Sequence, residues 1–306
     1  MHIAIFGAAS FIGTNLAMSL AKNNQLLLID KKKEYFQNKE LLNRDGIYFK
    51  EAAMDCTMEF DVLINGCDMV YHLVSTTNPS TSNLDISAEL NNNISFTCTL
   101  LESCVKNKVR RVVFISSGGT VYGKVQQLPI NEEHSTDPIN SYGIQKLTIE
   151  KILYLYKHLH GLDYRIVRLA NPFGPYQRPN GILGAATTFT YKAINNENVV
   201  VYGDGSVTRD YIFIDDAVEA IINISSNDCK HNIYNIGTGI GVSVKQLIDT
   251  IKSTLNVDMK IEYKDARSVD VPVNVLDVSR YEQEFGKIAK TTLARGIELT
   301  ADYLRG

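Results

Sequence analysis

The stretch that most constrains this chain is its beginning. Ile3-Ala4-Ile5-Phe6 is a short apolar run that stops at Gly7, as expected of a parallel strand buried on both faces. Gly7-Ala8-Ala9-Ser10-Phe11-Ile12-Gly13 then opens a helix with Leu16, Leu20 and Ala21 on its inner face, and Leu26–Ile29 is a second strand closed by Asp30. Strand, glycine turn, helix and strand together make a phosphate-binding turn in its required context. Gly7 permits the tight turn, and Gly13 lets the helix lie close to the strand. The N–H groups of Ser10, Phe11 and Ile12 can face a pyrophosphate at the positive end of the helix. Asp30 can hold both hydroxyls of a ribose and repels a 2′-phosphate. That favours NAD over NADP, a preference softened by Lys31-Lys32-Lys33.

Further along, Ile47–Glu51 reads as a third strand followed by Met54-Asp55-Cys56, and Met69–Val74 as a fourth. A helix from about Asp85 has Leu90, Ile94, Leu100, Leu101 and Val105 on its apolar face. Val112–Ile115 is a fifth strand, and Ser116-Ser117-Gly118-Gly119-Thr120-Val121-Tyr122-Gly123 leaves its C-terminal end, where open parallel sheets bind ligands. Tyr164–Leu169 is a sixth strand. The remainder is less regular. Asn171–Pro175 reads as loop and Ala185–Asn195 as helix. Strands are expected at Val199–Tyr202, Asp210–Ile214 and Ile233–Ile236. A helix starts at Asp215 with Asp215 and Asp216 as caps, and two more lie near Ser243–Leu255 and Thr292–Leu304. The expected fold is α/β: a Rossmann-type doubly wound parallel sheet over residues 1–170, to which 211–236 return, with a smaller, interleaved α/β substrate domain over 171–306.

A second constellation starts at Asn140-Ser141-Tyr142-Gly143-Ile144-Gln145-Lys146. Asn140 or Ser141 can cap a helix whose apolar positions are Ile149, Ile152, Leu153 and Tyr156. Tyr142 and Lys146 are four apart and share a face. A free phenol is a poor base at neutral pH, and a neighbouring ammonium lowers its pKa. Such a phenol could exchange a proton with a substrate hydroxyl while a hydride leaves the same carbon.

Bulk properties narrow the class. With 306 residues and 44% hydrophobic content, the chain fits one large or two smaller soluble domains. Its net charge of −3 gives no basic field for nucleic acid or anionic membrane. Cys56, Cys67, Cys98, Cys104 and Cys229 contain no C-x-x-C pair, which points to a reducing compartment without disulfides or a structural metal. There is no leader-like segment and no apolar run long enough to span a bilayer. A cytoplasmic location is the expectation.

In order and spacing, Gly7–Gly13, Asp30, Asp55, His72-Leu73, Asn92-Asn93-Ile94, Ser116–Gly123, Tyr142/Lys146, Asn171–Pro175, Gly203–Asp216 and Arg267–Asp270 resemble the extended short-chain dehydrogenase/reductase family, in its nucleotide-sugar epimerase/dehydratase branch. The resemblance covers essentially the whole chain. It implies that Gly7, Ser10, Phe11, Ile12, Gly13, Asp30, Asp55, Cys56, Leu73, Asn92, Ser116, Tyr142 and Lys146 lie along NAD. It implies that Lys146 bonds the nicotinamide ribose and that Tyr142 is the acid/base. Asn171, Arg209 and Arg267 would face a nucleotide-linked sugar, with Asp270 on its ribose. Two arginines converging on a diphosphate also make physical sense, because the guanidinium fork matches phosphate oxygens. The implied activity is 4-epimerisation of a UDP- or dTDP-linked hexose through transient oxidation at C4, by a homodimer whose seam uses the two helices carrying Leu100, Leu101, Ile149 and Leu153.

Two departures stand out. Ser10 replaces the middle glycine of the turn, and Gly118 stands where the family usually places a Ser or Thr that shares the substrate proton. Ser117 or Thr120 is expected to take over that hydroxyl role. Gly118 also gives weight to a 4-keto-sugar reductase on the same scaffold. A non-catalytic nucleotide sensor fits less well, since a sensor needs neither Tyr142 nor Lys146. His72 reads as a packed core residue rather than a base.

Overall fold

In a computed structural model, the described residues are 1–75, 82–179, 184–266 and 271–306. Their elements run β1 (His2–Phe6), α1 (Phe11–Leu20), β2 (Gln25–Asp30), β3 (Ile47–Glu51), α2 (Phe60–Leu63), β4 (Met69–His72), α3 (Ile86–Lys106), β5 (Arg111–Ser117), α4 (Ser141–His160) and β6 (Asp163–Leu169). They continue with β7 (Asn171–Phe173), α5 (Ala185–Ile194), β8 (Val199–Tyr202), β9 (Thr208–Phe213), α6 (Ile214–Ser226), β10 (Ile233–Ile236), β11 (Gly241–Ser243), α7 (Val244–Leu255), β12 (Ile261–Lys264), β13 (Val273–Asn274), α8 (Ser279–Phe285) and α9 (Leu293–Arg305).

Seven strands form one sheet in the order β10-β6-β5-β4-β1-β2-β3. The order reverses between β1 and β4, the switch point at which such sheets bind nucleotides. β1, β2, β4 and β5 are mutually parallel, with Phe6 opposite both Ile29 and His72, and His72 opposite Phe114. Gly7, Asp30, Leu73 and Ser117 therefore emerge along one edge of the sheet.

Two compact units share the chain. One comprises residues 1–122, 136–168 and 221–233; the other comprises 123–135, 169–220 and 234–306. The core of the first packs Phe6, Phe60, Phe96, Leu100, Leu101, Val112, Phe114, Ile149 and Leu153 together. The helices that cover its sheet are closed by sequence-encoded caps. Asp85 accepts from Ala88 N at α3, and Asn140 accepts from Gly143 N at α4. Each satisfies an N–H that has no partner inside the helix.

The second unit holds the shorter pieces. β9 is flanked by β11 and β13 and also pairs with β7, while β12 pairs with β8. Four differences from the sequence expectation occur here. Asn171–Pro175 contains a strand rather than only a loop, because β9 offers Asn171–Phe173 a parallel partner. β11, β12 and β13 are two to four residues long, too short to show periodicity. α6 begins at Ile214, which puts Asp215 and Asp216 in its first turn rather than at a cap. Asp216 instead accepts from the backbone of Lys290 and Thr291.

Candidate active site

The glycine turn is built as a cradle. Gly7 sits at φ +85°, and a Cβ on Gly13 would lie 2.3 Å from the Gly7 carbonyl oxygen and 2.8 Å from Ala8 Cα. Only a residue without a side chain lets α1 start so close to the end of β1. Ser10, at φ −73° and ψ 168°, is the N-cap of α1 and its hydroxyl accepts from Gly13 N. The serine therefore sits in ordinary extended backbone and adds a cap that glycine would lack. Its O–H in turn donates to Gly7 O at 2.7 Å. Phe11 and Ile12 open the first turn, where N–H groups have no acceptor within the helix. The Ser10 N–H, expected to face a phosphate, instead donates to Gly7 O at 3.1 Å, so the residues present fit a bound dinucleotide phosphate through the N–H groups of Phe11 and Ile12 at the positive end of the helix.

Asp30 ends β2 next to this cradle. Its carboxylate accepts from Ala9 N at 2.7 Å and from Lys31 N at 2.7 Å, which ties the ribose-binding position to the turn. Leu73 backbone lies 3.2 Å from where a Gly7 Cβ would stand, so β1 and β4 close on each other at the switch point. Asp55 accepts from Thr57 N and Oγ1, and these bonds hold its carboxyl below the usual range. Cys56 is exposed. Asn92 is also exposed on α3, whereas Asn93 is buried and donates to Gln145 Oε1 at 2.7 Å. The asparagine that α3 turns into the core is thus Asn93. Ser116 is buried and its hydroxyl is spent on Glu150 at 2.5 Å.

The Tyr142 helix meets the turn after β5 closely. A Cβ on Gly143 would lie 2.7 Å from Thr120 O and 2.8 Å from Pro138 Cβ. Gly143 therefore brings the first turn of α4, and Tyr142 with it, against the residues carrying Ser117 and Thr120. Thr120 Oγ1 is buried and has no hydrogen-bond partner, a costly state unless something else is to be bonded. Ser117, at the end of β5, is half-buried.

Tyr142 and Lys146 do share a face: Lys146 Nζ is 5.6 Å from the Tyr142 ring centroid. The expected acidification of the phenol is not found. Burial pushes Tyr142 up to about 12. Burial also pushes Lys146 down to about 8, opposed by the Glu150 charge. The reason is geometric. Lys146 Nζ donates to Ile115 O at 2.8 Å and sits 4.7 Å over the Phe114 ring, so it makes its hydrogen bond to the strand, and burial dominates at the phenol. His72 is a core residue, as expected. It lies between Phe96 and Phe114, bonds Thr97 Oγ1, and is held neutral by burial, which takes it down to about 3.

In the second unit, Arg209 stands on β9 opposite Val242 and Asn274. Its Nη1 donates to Thr208 O and Val271 O. Asn171 Nδ2 donates to Asp210 O at 3.1 Å. Asp210 is fully buried and accepts from Thr238 N, Thr238 Oγ1 and Gly239 N, which fixes β9 under its neighbour Arg209. Sequence reading passed over Asp210, although a charged residue inside an apolar strand was the available signal. Arg267 and Asp270 lie outside the described residues.

A dinucleotide cradle at the switch point of a parallel sheet, with a Tyr/Lys pair on the same sheet's covering helix, marks a fold for redox chemistry with a nicotinamide cofactor. The chain belongs to the NAD dependent epimerase/dehydratase family, whose model matches residues 3–237. It is an NAD-dependent enzyme of nucleotide-sugar metabolism. A UDP-glucose 4-epimerase of Mycolicibacterium smegmatis is 29% identical, with 100% of this chain and 99% of the relative covered. A dTDP-4-dehydro-6-deoxyglucose reductase of Escherichia coli is also 29% identical, covering 99% and 97%. The crystal structure of a UDP-glucose 4-epimerase from Thermotoga maritima with UDP-glucose superposes with a TM-score of 0.92 at 31% identity, covering 100% and 99%. No helix among the described residues is long and apolar enough to cross a membrane.

Proposed function

We propose that the protein is a UDP-sugar 4-epimerase that works with tightly bound NAD and with Tyr142 as its acid/base. The observation that carries this reading is the close approach of Gly143, the neighbour of Tyr142, to Thr120 O, at the end of the sheet that also bears the Gly7–Gly13 cradle. Phe11 and Ile12 would hold the pyrophosphate through their N–H groups, with Gly7, Ser10 and Gly13 shaping the turn around it, and Asp30 would hold the adenosine ribose. Lys146 would hold the nicotinamide ribose. Bound there, NAD supplies a hydride acceptor and donor for C4, and a positive charge when oxidised.

The protein's own part is orientation and proton transfer. A phenol pushed up to about 12 is protonated at neutral pH, so Tyr142 is poised as the acid that returns a proton to a 4-keto oxygen. It becomes a base when positive charge gathers beside it. Thr120 Oγ1, buried without a partner, is the better placed hydroxyl to replace the one absent at Gly118. Ser117 is the second candidate. Arg209 and Asn171 in the second unit, with Arg267 and Asp270, would bind the UDP-sugar.

The exposed side chains of Tyr154, Leu155 and Leu159 on α4 and Ile86 on α3 support a homodimer through these helices. Leu100, Leu101, Ile149 and Leu153 are core.

Incubation with a panel of UDP-, dTDP- and GDP-sugars, with products read by NMR, tests the reading. An epimerase converts a UDP-hexose to its C4 epimer without added cofactor. The second reading, a 4-keto-sugar reductase, is favoured by Gly118 together with the similarity to the Escherichia coli reductase. It predicts stoichiometric NAD(P)H consumption and no epimer.

A further inference from the structure

Behind Lys146 lies a buried charge cluster that the reading above leaves unused. Glu150, one helical turn after Lys146 on α4, is 3% exposed, and Arg168 on β6 is also 3% exposed. Arg168 Nη2 donates to Glu150 Oε2 at 2.7 Å, and its Nε donates to Oε1 at 3.2 Å. Ser116 Oγ donates to Glu150 Oε1 at 2.5 Å, and Arg168 Nη1 donates to Tyr122 Oη at 3.0 Å. The guanidinium also lies over the Tyr122 ring at 4.9 Å.

Ser116 and Tyr122 are the two residues that bracket the Ser117–Val121 turn. One carboxylate and one guanidinium thus grip both ends of the turn that carries Ser117 and Thr120. The same carboxylate faces the helix position next to Lys146, whose Nζ bonds Ile115 O, one residue before Ser116. Burying an ion pair is costly unless geometry and further hydrogen bonds satisfy it, and here Ser116 and Tyr122, at the two ends of the candidate catalytic turn, are among the groups that bond it.

We propose that Glu150, locked by Arg168 and Ser116, is a positioning residue that keeps the buried Lys146 charged and fixes the Ser117–Val121 turn against α4. The groups facing Lys146 agree with this. From β4, His72 is neutral, held down to about 3. From α4, Tyr142 is neutral and Glu150 is the charge opposing the desolvation of Lys146. From α3, Glu89 is spent on Gln145 Nε2. From β6, Arg168 is matched by Glu150. Removing the carboxylate would leave two buried cations sharing one region.

The inference rests on the functional reading only for its consequence in turnover, so its test is direct. Lysine labelled with ¹³C at Cε, with the Lys146 signal assigned by Lys146→Met, is titrated in the full-length protein. In the wild type the midpoint is expected near 8. In Glu150→Gln it is expected to fall by about one pH unit, while Glu150→Asp, which keeps the charge, leaves it near the wild-type value. If turnover is observed, its alkaline limb moves down by the same amount. A midpoint in Glu150→Gln that equals the wild type overturns the proposal, as does a uniform loss of turnover with the limb unmoved. If Glu150→Gln fails to fold, Arg168→Met is titrated instead: it keeps the carboxylate and removes a buried cation, so the Lys146 midpoint is expected to rise, and a midpoint that is unchanged or lower overturns the proposal. A wild-type protein inactive on every nucleotide sugar would refute the epimerase reading and leave the titration result standing by itself.

Discussion

Gly13→Ala tests the cradle with the smallest perturbation. The added methyl would sit 2.3 Å from Gly7 O and 2.8 Å from both Ala8 Cα and Ala8 O. All three are backbone atoms, so no flexible side chain can yield, and the shortest contact is about 1 Å short of ordinary van der Waals separation. Relief requires α1 to withdraw from the turn. Overpacking of this kind costs about 1–3 kcal/mol, and each kcal/mol lowers Tm by about 2–4 °C in a domain of this size. The same withdrawal carries the N–H groups of Phe11 and Ile12 away from the pyrophosphate. The assay has two parts. Melting of protein stripped of dinucleotide reads the packing cost, and absorbance of nucleotide released by denaturation reads NAD occupancy. The expected result is a Tm lower by several degrees and NAD occupancy reduced at least tenfold. A Gly13→Ala protein with wild-type Tm and full NAD would refute the reasoning. Ser10→Gly is the internal control: it restores the usual glycine, loses only the cap, and costs a few tenths of a kcal/mol.

Three further outcomes follow from the geometry. Gly143→Ala drives a methyl into Thr120 O and Pro138 Cβ, so turnover should fall roughly 10- to 100-fold while bound NAD, measured by released absorbance, is retained. His72 is held neutral down to about 3 from an ordinary 6.5, so the unfolded chain binds a proton that the folded one refuses. Its contribution is fully present above pH 6.5 and is lost as pH falls toward 3. His72→Gln should flatten that part of the Tm–pH curve followed by calorimetry. Arg209→Gln should raise KM for UDP-sugars about tenfold or more with a smaller change in kcat, measured by steady-state kinetics.

What the sequence disclosed was what local rules encode. The cradle was legible because Gly7, Gly13 and Asp30 sit at fixed offsets around an apolar run, and α4 because Asn140 caps a helix of clear period. Tyr142 and Lys146 were found for the same reason. The surroundings of Arg209 were not. β7, β11 and β13 exist because β9 pairs with them, and strands of two or three residues carry no period of their own. That Asn93 is the asparagine bonded to Gln145 was not legible, because helix phase cannot be read to one residue without knowing what faces it. Glu150 and Arg168 were not singled out at all, since nothing in their neighbours says that each is the other's partner across 18 residues of chain. The upward direction of the Tyr142 shift was missed for a related reason: spacing shows that an ammonium is near, while the burial that raises the phenol is set by the tertiary fold.

The most direct test of the central claim follows the hydrogen on C4. UDP-glucose deuterated at C4 is incubated with the purified protein and with Tyr142→Phe, without added cofactor, and the products are read by NMR and mass spectrometry. The account predicts that wild-type protein forms the C4 epimer with the deuterium still on C4, and that Tyr142→Phe keeps its bound NAD but converts substrate at least 100-fold more slowly. Full turnover by Tyr142→Phe, or an epimer that has lost its label to solvent, would contradict it.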